Sequence, residues 1–355
     1  MITEPGKEEI CILPELAEGR ELHLLLPNTG SSTSTKRVAL TCMIVKAFRP
    51  FTISPVLLVS LVQPSTTPLH DGISISLPPI VVLKLYDRRC LSNIRDQWDE
   101  RRPWSLDKEH EYRRYLDDID AATGAAIARG DKFDDVGFLW DNDVSDGEFE
   151  AYLEHTAQRV FNAERATYER LRPLQGKKIP TLYGAVEYEI SIPDGSAATE
   201  TVPGLLLEYI PSLTLRELIA TWTARDPPLP NGILATVCEE AVRVVERVSD
   251  FDVLNEDVRV DNFLIREPFV GTSSSRGEVP AVVEDAVVLI DLGHCRLRRE
   301  DESEGELVKA KWSQDEAGAA GFVALGLVRK FVGEDVWTYK ESLRYYRPRD
   351  LEEEA

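Results

Sequence analysis

Short apolar runs rich in β-branched residues mark the first quarter of the chain. VALTCMIV at 38–45, PVLLVSLV at 55–62 and IVVLKLYD at 80–87 are rich in β-branched residues and predict three short strands, with KAFRPFTIS carrying the bend between the first two. Three consecutive short strands predict an antiparallel sheet. The preceding NTGSSTSTK predicts a loop. From about Glu150 to Arg172 the period changes to 3.6, because Phe161, Tyr168 and Leu171 fall on one face, which predicts a long helix. Strand patterns return at TLYGAVEYEI and VPGLLLEYI, separated by a PDGS turn, and Pro211 stops the second. Thr214 and Glu217 have capping-box spacing ahead of a short helix, TLRELIATW. A second strong helix is expected over 231–249, with Ile233, Leu234, Val237, Val244, Val245 and Val248 on or near one face. Two short strands, NFLI and AVVLIDLG, flank a Gly/Ser-rich loop. A charged segment, RLRREDESEGE, then leads to a final helix near Gln314–Val332. No internal repeat is visible.

Composition changes this picture in one region. The chain has 355 residues, and 41 basic against 62 acidic side chains give a net charge of −21. From Asp99 to Glu150 there are 16 acids against 7 bases, so this one stretch holds over a third of the excess. Its aromatic residues argue against plain disorder and predict a partly helical insertion at about 88–150. The acidity argues against a nucleic-acid partner and against docking on an anionic membrane. The longest apolar run, near Val56–Val62, is far short of the roughly 20 residues a spanning helix needs. MITEPGKEEI carries acids where a leader would carry bases, so an intracellular protein, cytoplasmic or nuclear, is expected. Five cysteines and five histidines are dispersed, without zinc-site or disulfide spacing.

Candidate chemistry comes from five features in one order. Lys84 sits among Val82, Leu83 and Leu85, which allows either an inward-facing amine or a snorkelling surface lysine. Glu164 lies on the apolar face of the long helix, where an unpaired carboxylate is costly; Glu169 is the competing candidate. LLLEYIP at 205–211 reads as a strand edge that presents backbone groups to a flat ligand, or as an ordinary core strand. Asp257 and Asn262 are five apart in LNEDVRVDNFLI, a spacing that suits a proton acceptor beside an oxygen ligand for Mg²⁺, or a pair of Asx turns. IDLG at 290–293 ends an apolar strand in Asp291, a second oxygen ligand.

The order strand-Lys, helix-Glu, Asp-x-x-x-x-Asn, strand-Asp-x-Gly resembles the protein-kinase signature set. The wider wording (RPFTISPVLLV, KLYDRR, ATYERLRPLQGKKIPTLYG, LLLEYI, QDEAGAAGFV) resembles a fungal group of protein-kinase-like proteins over roughly residues 37–335. The resemblance implies an α+β, two-lobed fold: an antiparallel N-terminal sheet with one long helix, and a mainly helical, shortened C-terminal lobe. Residues 1–36 would be an extension, 37–210 the first lobe with its acidic insertion, 211–345 the second lobe, and 346–355 an acidic tail. The cofactors implied are ATP and Mg²⁺. Lys84 would hold phosphates and pair with Glu164. Glu208, Tyr209 and Ile210 would bind adenine through backbone groups, and Ser54 would lie by the phosphates. Asp257 would orient the acceptor hydroxyl, while Asn262 and Asp291 would bind the metal.

The departures are large. Asn255-Glu256-Asp257 replaces His-Arg-Asp, no G-x-G-x-x-G precedes Lys84, and no A-P-E follows Asp291, after which only 355 − 291 = 64 residues remain. The expected activity is transfer of the ATP γ-phosphate to a hydroxyl, that of a protein Ser/Thr side chain. A small-molecule acceptor and an inactive nucleotide-binding scaffold stay open as alternatives.

Overall fold

The computed structural model describes residues 13–26, 37–62, 66–68, 74–96, 103–129, 132–133, 144–191, 199–271 and 281–345. NTGSSTSTK, PDGS, most of the Gly/Ser loop and the tail 346–355 lie outside them. In chain order the strands are β1 Glu21–Leu26, β2 Val38–Ala47, β3 Val56–Leu61, β4 Thr66–Pro68, β5 Ser74–Ser76, β6 Ile80–Leu85, β7 Leu182–Ser191, β8 Thr199–Glu208, β9 Ser212–Thr214, β10 Val253–Asn255, β11 Phe263–Arg266, β12 Val287–Leu289 and β13 Cys295–Leu297. The α-helices are α1 Ser92–Asp96, α2 Leu106–Asp118, α3 Ala121–Arg129, α4 Asp146–Arg170, α5 Leu215–Thr221, α6 Asn231–Ser249, α7 Glu304–Gln314 and α8 Glu316–Phe331. The chain divides into two compact units, 1–162 with 182–209, and 163–181 with 210–355.

The first unit corrects the expected fold. Six strands form a closed antiparallel barrel in the order β1-β2-β3-β6-β8-β7, where an open sheet of a two-lobed kinase-like fold was expected. The closing strand is β1, from the segment read as an extension. Its residues alternate outward and inward, with Leu22, Leu24 and Leu26 buried. β1 pairs with β2 along its whole length and with β7 at Leu24–Tyr188 and Leu25–Glu187. Closure removes the free edges that an open sheet must protect. Leu40, Cys42, Ile44, Leu57, Val59, Val81, Leu83, Val186 and Leu206 belong to the core of this unit. Gly204 permits the close β8–β6 approach, since a Cβ there would lie 2.9 Å from Leu85 Cδ2 and 3.1 Å from the Lys84 carbonyl.

The acidic stretch is tied to the barrel by buried arginines. Arg88, 1% exposed, follows β6 and places Nη2 2.6 Å from Glu109 on α2 and Nη1 3.0 Å from Glu150 on α4. Glu200 on β8 is 3.3 Å from the same guanidinium and Glu154 is 3.8 Å away. Arg95 donates to both oxygens of Glu150, at 2.6 and 2.8 Å. The Tyr112 ring lies 4.1 Å beneath Arg88, and Trp104 Nε1 donates to Glu109. Burial pushes the Glu109 carboxyl up, but Arg88, with Trp104 and Arg113, brings it below the usual value. Burial dominates at Glu154 and Glu200, whose carboxyls are raised.

In the second unit α5 starts on the capping box that Thr214 and Glu217 complete. The expected last helix is α8, and a further helix precedes it. A second capping box, Ser303 with Glu306, starts α7 inside the charged segment, and Asp315, in the left-handed region at φ 47°, separates α7 from α8. Beyond α8, the ring of Tyr339 lies on Gly321, where a Cβ would clash, and meets Phe322 edge-on at 4.9 Å. No helix among the described residues is long and apolar enough to cross a membrane.

Candidate functional site

Two antiparallel pairings in the second unit build the site. β10 pairs with β13, so Asn255 lies opposite Cys295, and β11 pairs with β12, so Phe263 lies opposite Leu289. The segment 255–262 is thereby set beside 289–295. Backbone bonds lock the two together: Glu256 N donates to His294 O at 3.0 Å and Ile290 N to Asn262 O at 2.8 Å. Within the first segment, Asp257 N donates to Asn255 Oδ1 at 2.9 Å, and Asn262 Nδ2 donates to the Asp257 carbonyl at 3.3 Å. These Asx side chains therefore cap their own loop, as such residues do in turns. The Ile290 N–Asn262 O bond sets this loop beside the residue before Asp291.

Asp291 sits at φ 60°, a left-handed conformation that aspartate tolerates better than most residues. Leu292 beside it is fully buried, and its N–H donates to Glu164 Oε1 at 3.3 Å. Glu164 is 0% exposed, whereas Glu169 is 61% exposed and 3.9 Å from Arg165. Of the two candidates, Glu164 is the inward one. Burial first, then the charge of Glu164, pushes the Cys295 thiol well above its usual value.

Two cations flank the loop. Arg259 Nε lies 2.6 Å from Asp257 Oδ1 and is 62% exposed. Arg216 of α5 grips Asp261 with Nε at 2.6 Å and Nη2 at 2.9 Å.

The remaining candidates lie in the first unit, apart from Ile210. Lys84 is buried on β6, opposite Val56 and Leu205, with Nζ 5.8 Å from the Tyr86 ring centroid. Ser54 is buried in the bend before β3, where Leu85 N donates to Pro55 O. Glu208 lies opposite Val81, three residues along β6 from Lys84, which is about 10 Å of strand. Segment 205–207 is not an edge, because it pairs with β6 on one side and β7 on the other, whereas Glu208 pairs with β6 alone. Beyond Glu208 come exposed Tyr209 and buried Ile210, whose carbonyl accepts Ser212 Oγ.

No group of three or more His, Cys, Asp or Glu among the described residues could hold a metal ion alone. The Asn262–Asp291 pair has a different character. The amide nitrogen of Asn262 is turned to the Asp257 carbonyl, which leaves its oxygen as the atom that could ligate a cation. Two such oxygens suit Mg²⁺, which commonly takes one or two protein ligands and completes its shell with phosphate and water.

Sequence reasoning missed the buried group behind the loop. Glu316 of α8, 4% exposed, accepts from Asn255 N at 2.6 Å and from Ser249 Oγ at 3.2 Å. Burial raises its carboxyl to about 7 against the pull of Asn255 N–H, Lys311 and Ser249. The signal was present: Glu316, Ala320, Ala324 and Val328 recur every four residues on one buried face. Compared with models of known families and with curated protein sequences, the chain matches none.

Proposed function

We propose that the protein is an ATP- and Mg²⁺-dependent phosphotransferase that moves the γ-phosphoryl group to a hydroxyl, a protein Ser/Thr side chain in the first instance and a small-molecule alcohol as the alternative. The observation that supports this reading is the pairing of segment 255–262 with segment 289–295, through Ile290 N–Asn262 O and Glu256 N–His294 O, which sets the backbone of Asp257 and Asn262 beside that of Asp291. Asp257 orients the acceptor hydroxyl and takes its proton. Asn262 and Asp291 hold the metal, which when bound neutralises charge on the transferring phosphate. Arg259, beside Asp257, adds a cation on the exposed side of the loop. The four described cysteines are all free, buried thiols, which supports an intracellular setting, cytoplasmic or nuclear.

The test is transfer of labelled phosphate from ATP and Mg²⁺ to a mixed peptide and alcohol panel. Asp257→Asn should lower transfer by about 10²–10⁴-fold, the usual worth of general base catalysis, while nucleotide still raises the melting temperature. Unchanged transfer in that variant sinks the assignment of Asp257. One observation favours a second reading, a nucleotide-binding module without turnover: the Asp257 carboxylate is already engaged by Arg259 at 2.6 Å. A thermal shift with Mg-ATP and no transfer by the wild type would select it.

A further inference from the structure

A continuous hydrogen-bond chain runs from the C-terminal segment to Asp257. Tyr345 OH lies 2.8 Å from Ser249 Oγ, at the end of α6. Ser249 Oγ donates to Glu316 Oε2 at 3.2 Å, and Glu316 Oε1 accepts Asn255 N at 2.6 Å. Asn255 Oδ1 then accepts Asp257 N at 2.9 Å. Proton counting fixes the direction. Lys311 Nζ donates to Ser249 Oγ at 2.7 Å and also to the Ser249 carbonyl. A serine hydroxyl has one proton and two acceptor sites. Its proton goes to Glu316, so it accepts from both Lys311 and Tyr345. The Tyr345 hydroxyl is thus the donor that completes Ser249.

The three inner members are at least nine-tenths buried: Ser249, Glu316 and Asn255. Tyr345 is not, and a cavity of about 220 Å³ lies under its segment, lined by Ser249, Lys311, Glu316 and Tyr345 among others. Polar contacts hold the segment over it, Ser342 Oγ to Glu246 Oε1 at 2.8 Å and Arg344 Nη1 to the Glu246 carbonyl at 3.0 Å. The Tyr345 ring stacks 5.3 Å from the Lys311 ammonium. The outer link can therefore open into existing space, without repacking the core.

We infer that Tyr345 is a positioning residue for Asp257, a latch whose hydroxyl keeps Ser249 and Glu316 aligned on the backbone of the Asn255–Asp257 segment. Hydrogen bonds in a chain polarise one another, so completing Ser249 strengthens its bond to Glu316 and the grip of Glu316 on Asn255 N. With the latch open, water from the cavity competes for Glu316 and the Asn255 N–H is released. The catalytic meaning of this tie rests on the phosphotransfer reading above; the tie itself does not.

The experiment is residue-resolved amide hydrogen exchange on the full chain without nucleotide, so it decides the tie whether or not the protein transfers phosphate. Tyr345→Phe keeps the ring over Lys311 and removes only the hydroxyl. Exchange at Asn255 and Asp257 should rise about fivefold, the worth of one ordinary hydrogen bond, while the β12 amides Val287–Leu289 stay unchanged. In a Glu316→Gln background, where the Ser249 O–H has lost its carboxylate, the same change should have a smaller effect. Unchanged exchange at Asn255 and Asp257, an equal rise across β12, or an undiminished effect in the Glu316→Gln background overturns the inference.

Discussion

Both units bury charge, and they neutralise it differently. Around Arg88 and Arg95 in the first unit, carboxylates meet guanidinium groups at 2.6–3.0 Å, in rigid forks matched to their geometry. Around Glu316 in the second unit, one carboxylate is held by a backbone N–H and a serine hydroxyl, with Lys311 turned to Ser249. The first arrangement keeps Glu109 ionised far below neutral pH, whereas the second leaves Glu316 titrating at about 7. Ion pairs thus fix the acidic segment to the barrel, and neutral donors leave the group behind Asp257 adjustable.

The largest test of this contrast is Arg88→Met. It leaves Glu109, Glu150 and Glu200 facing one another without their shared cation, so urea unfolding should show a loss of about 3–5 kcal/mol. A loss below about 1 kcal/mol would mean that water already reaches the cluster. The next is the pH dependence of Glu316. A carboxyl raised when folded binds its proton more tightly in the native state, so the stability it confers is complete below its ordinary 4.5 and is lost as pH rises through about 7. Between pH 5 and pH 8 the wild type should lose up to about 3 kcal/mol from this group, and Glu316→Gln should flatten that slope. An equally steep slope in the variant would assign the dependence elsewhere. The smallest effect belongs to the exposed Arg216–Asp261 pair. Arg216→Ala should cost under about 1 kcal/mol and less in high salt; a larger, salt-insensitive cost would place that pair with the buried ones.

Much of the local structure was legible. β-branched apolar runs marked β2, β3 and β6, the 3.6 period marked α4 and α6, and the Thr214–Glu217 spacing marked the start of α5. Barrel closure was not legible, because ELHLLL has only three inward positions and its partner β7 is some 160 residues away. No local pattern encodes a pairing at that range. In the site, the Asp257–Asn262 spacing and the apolar-face position of Glu164 were readable. Ser249 and Lys311 were not, since each becomes polar-buried only through contacts between α6, α7 and the segment ending at Tyr345. Nothing local in the sequence marks Arg88, around which four carboxylates from α2, α4 and β8 meet.

The closing strand has a consequence for how the chain is made. β1 is made before β2, but its second partner, β7, comes after the whole acidic segment and α4. Until residues 182–208 appear, β1-β2-β3-β6 is an open four-stranded sheet with β1 and β6 bare along one side each. Such edges recruit other chains, and pairings this distant form slowly. Between them the ribosome lays down a strongly acidic stretch, 16 acids against 7 bases over Asp99–Glu150. Like charges repel neighbouring nascent chains, so the segment that delays closure also shields the unfinished barrel during the wait.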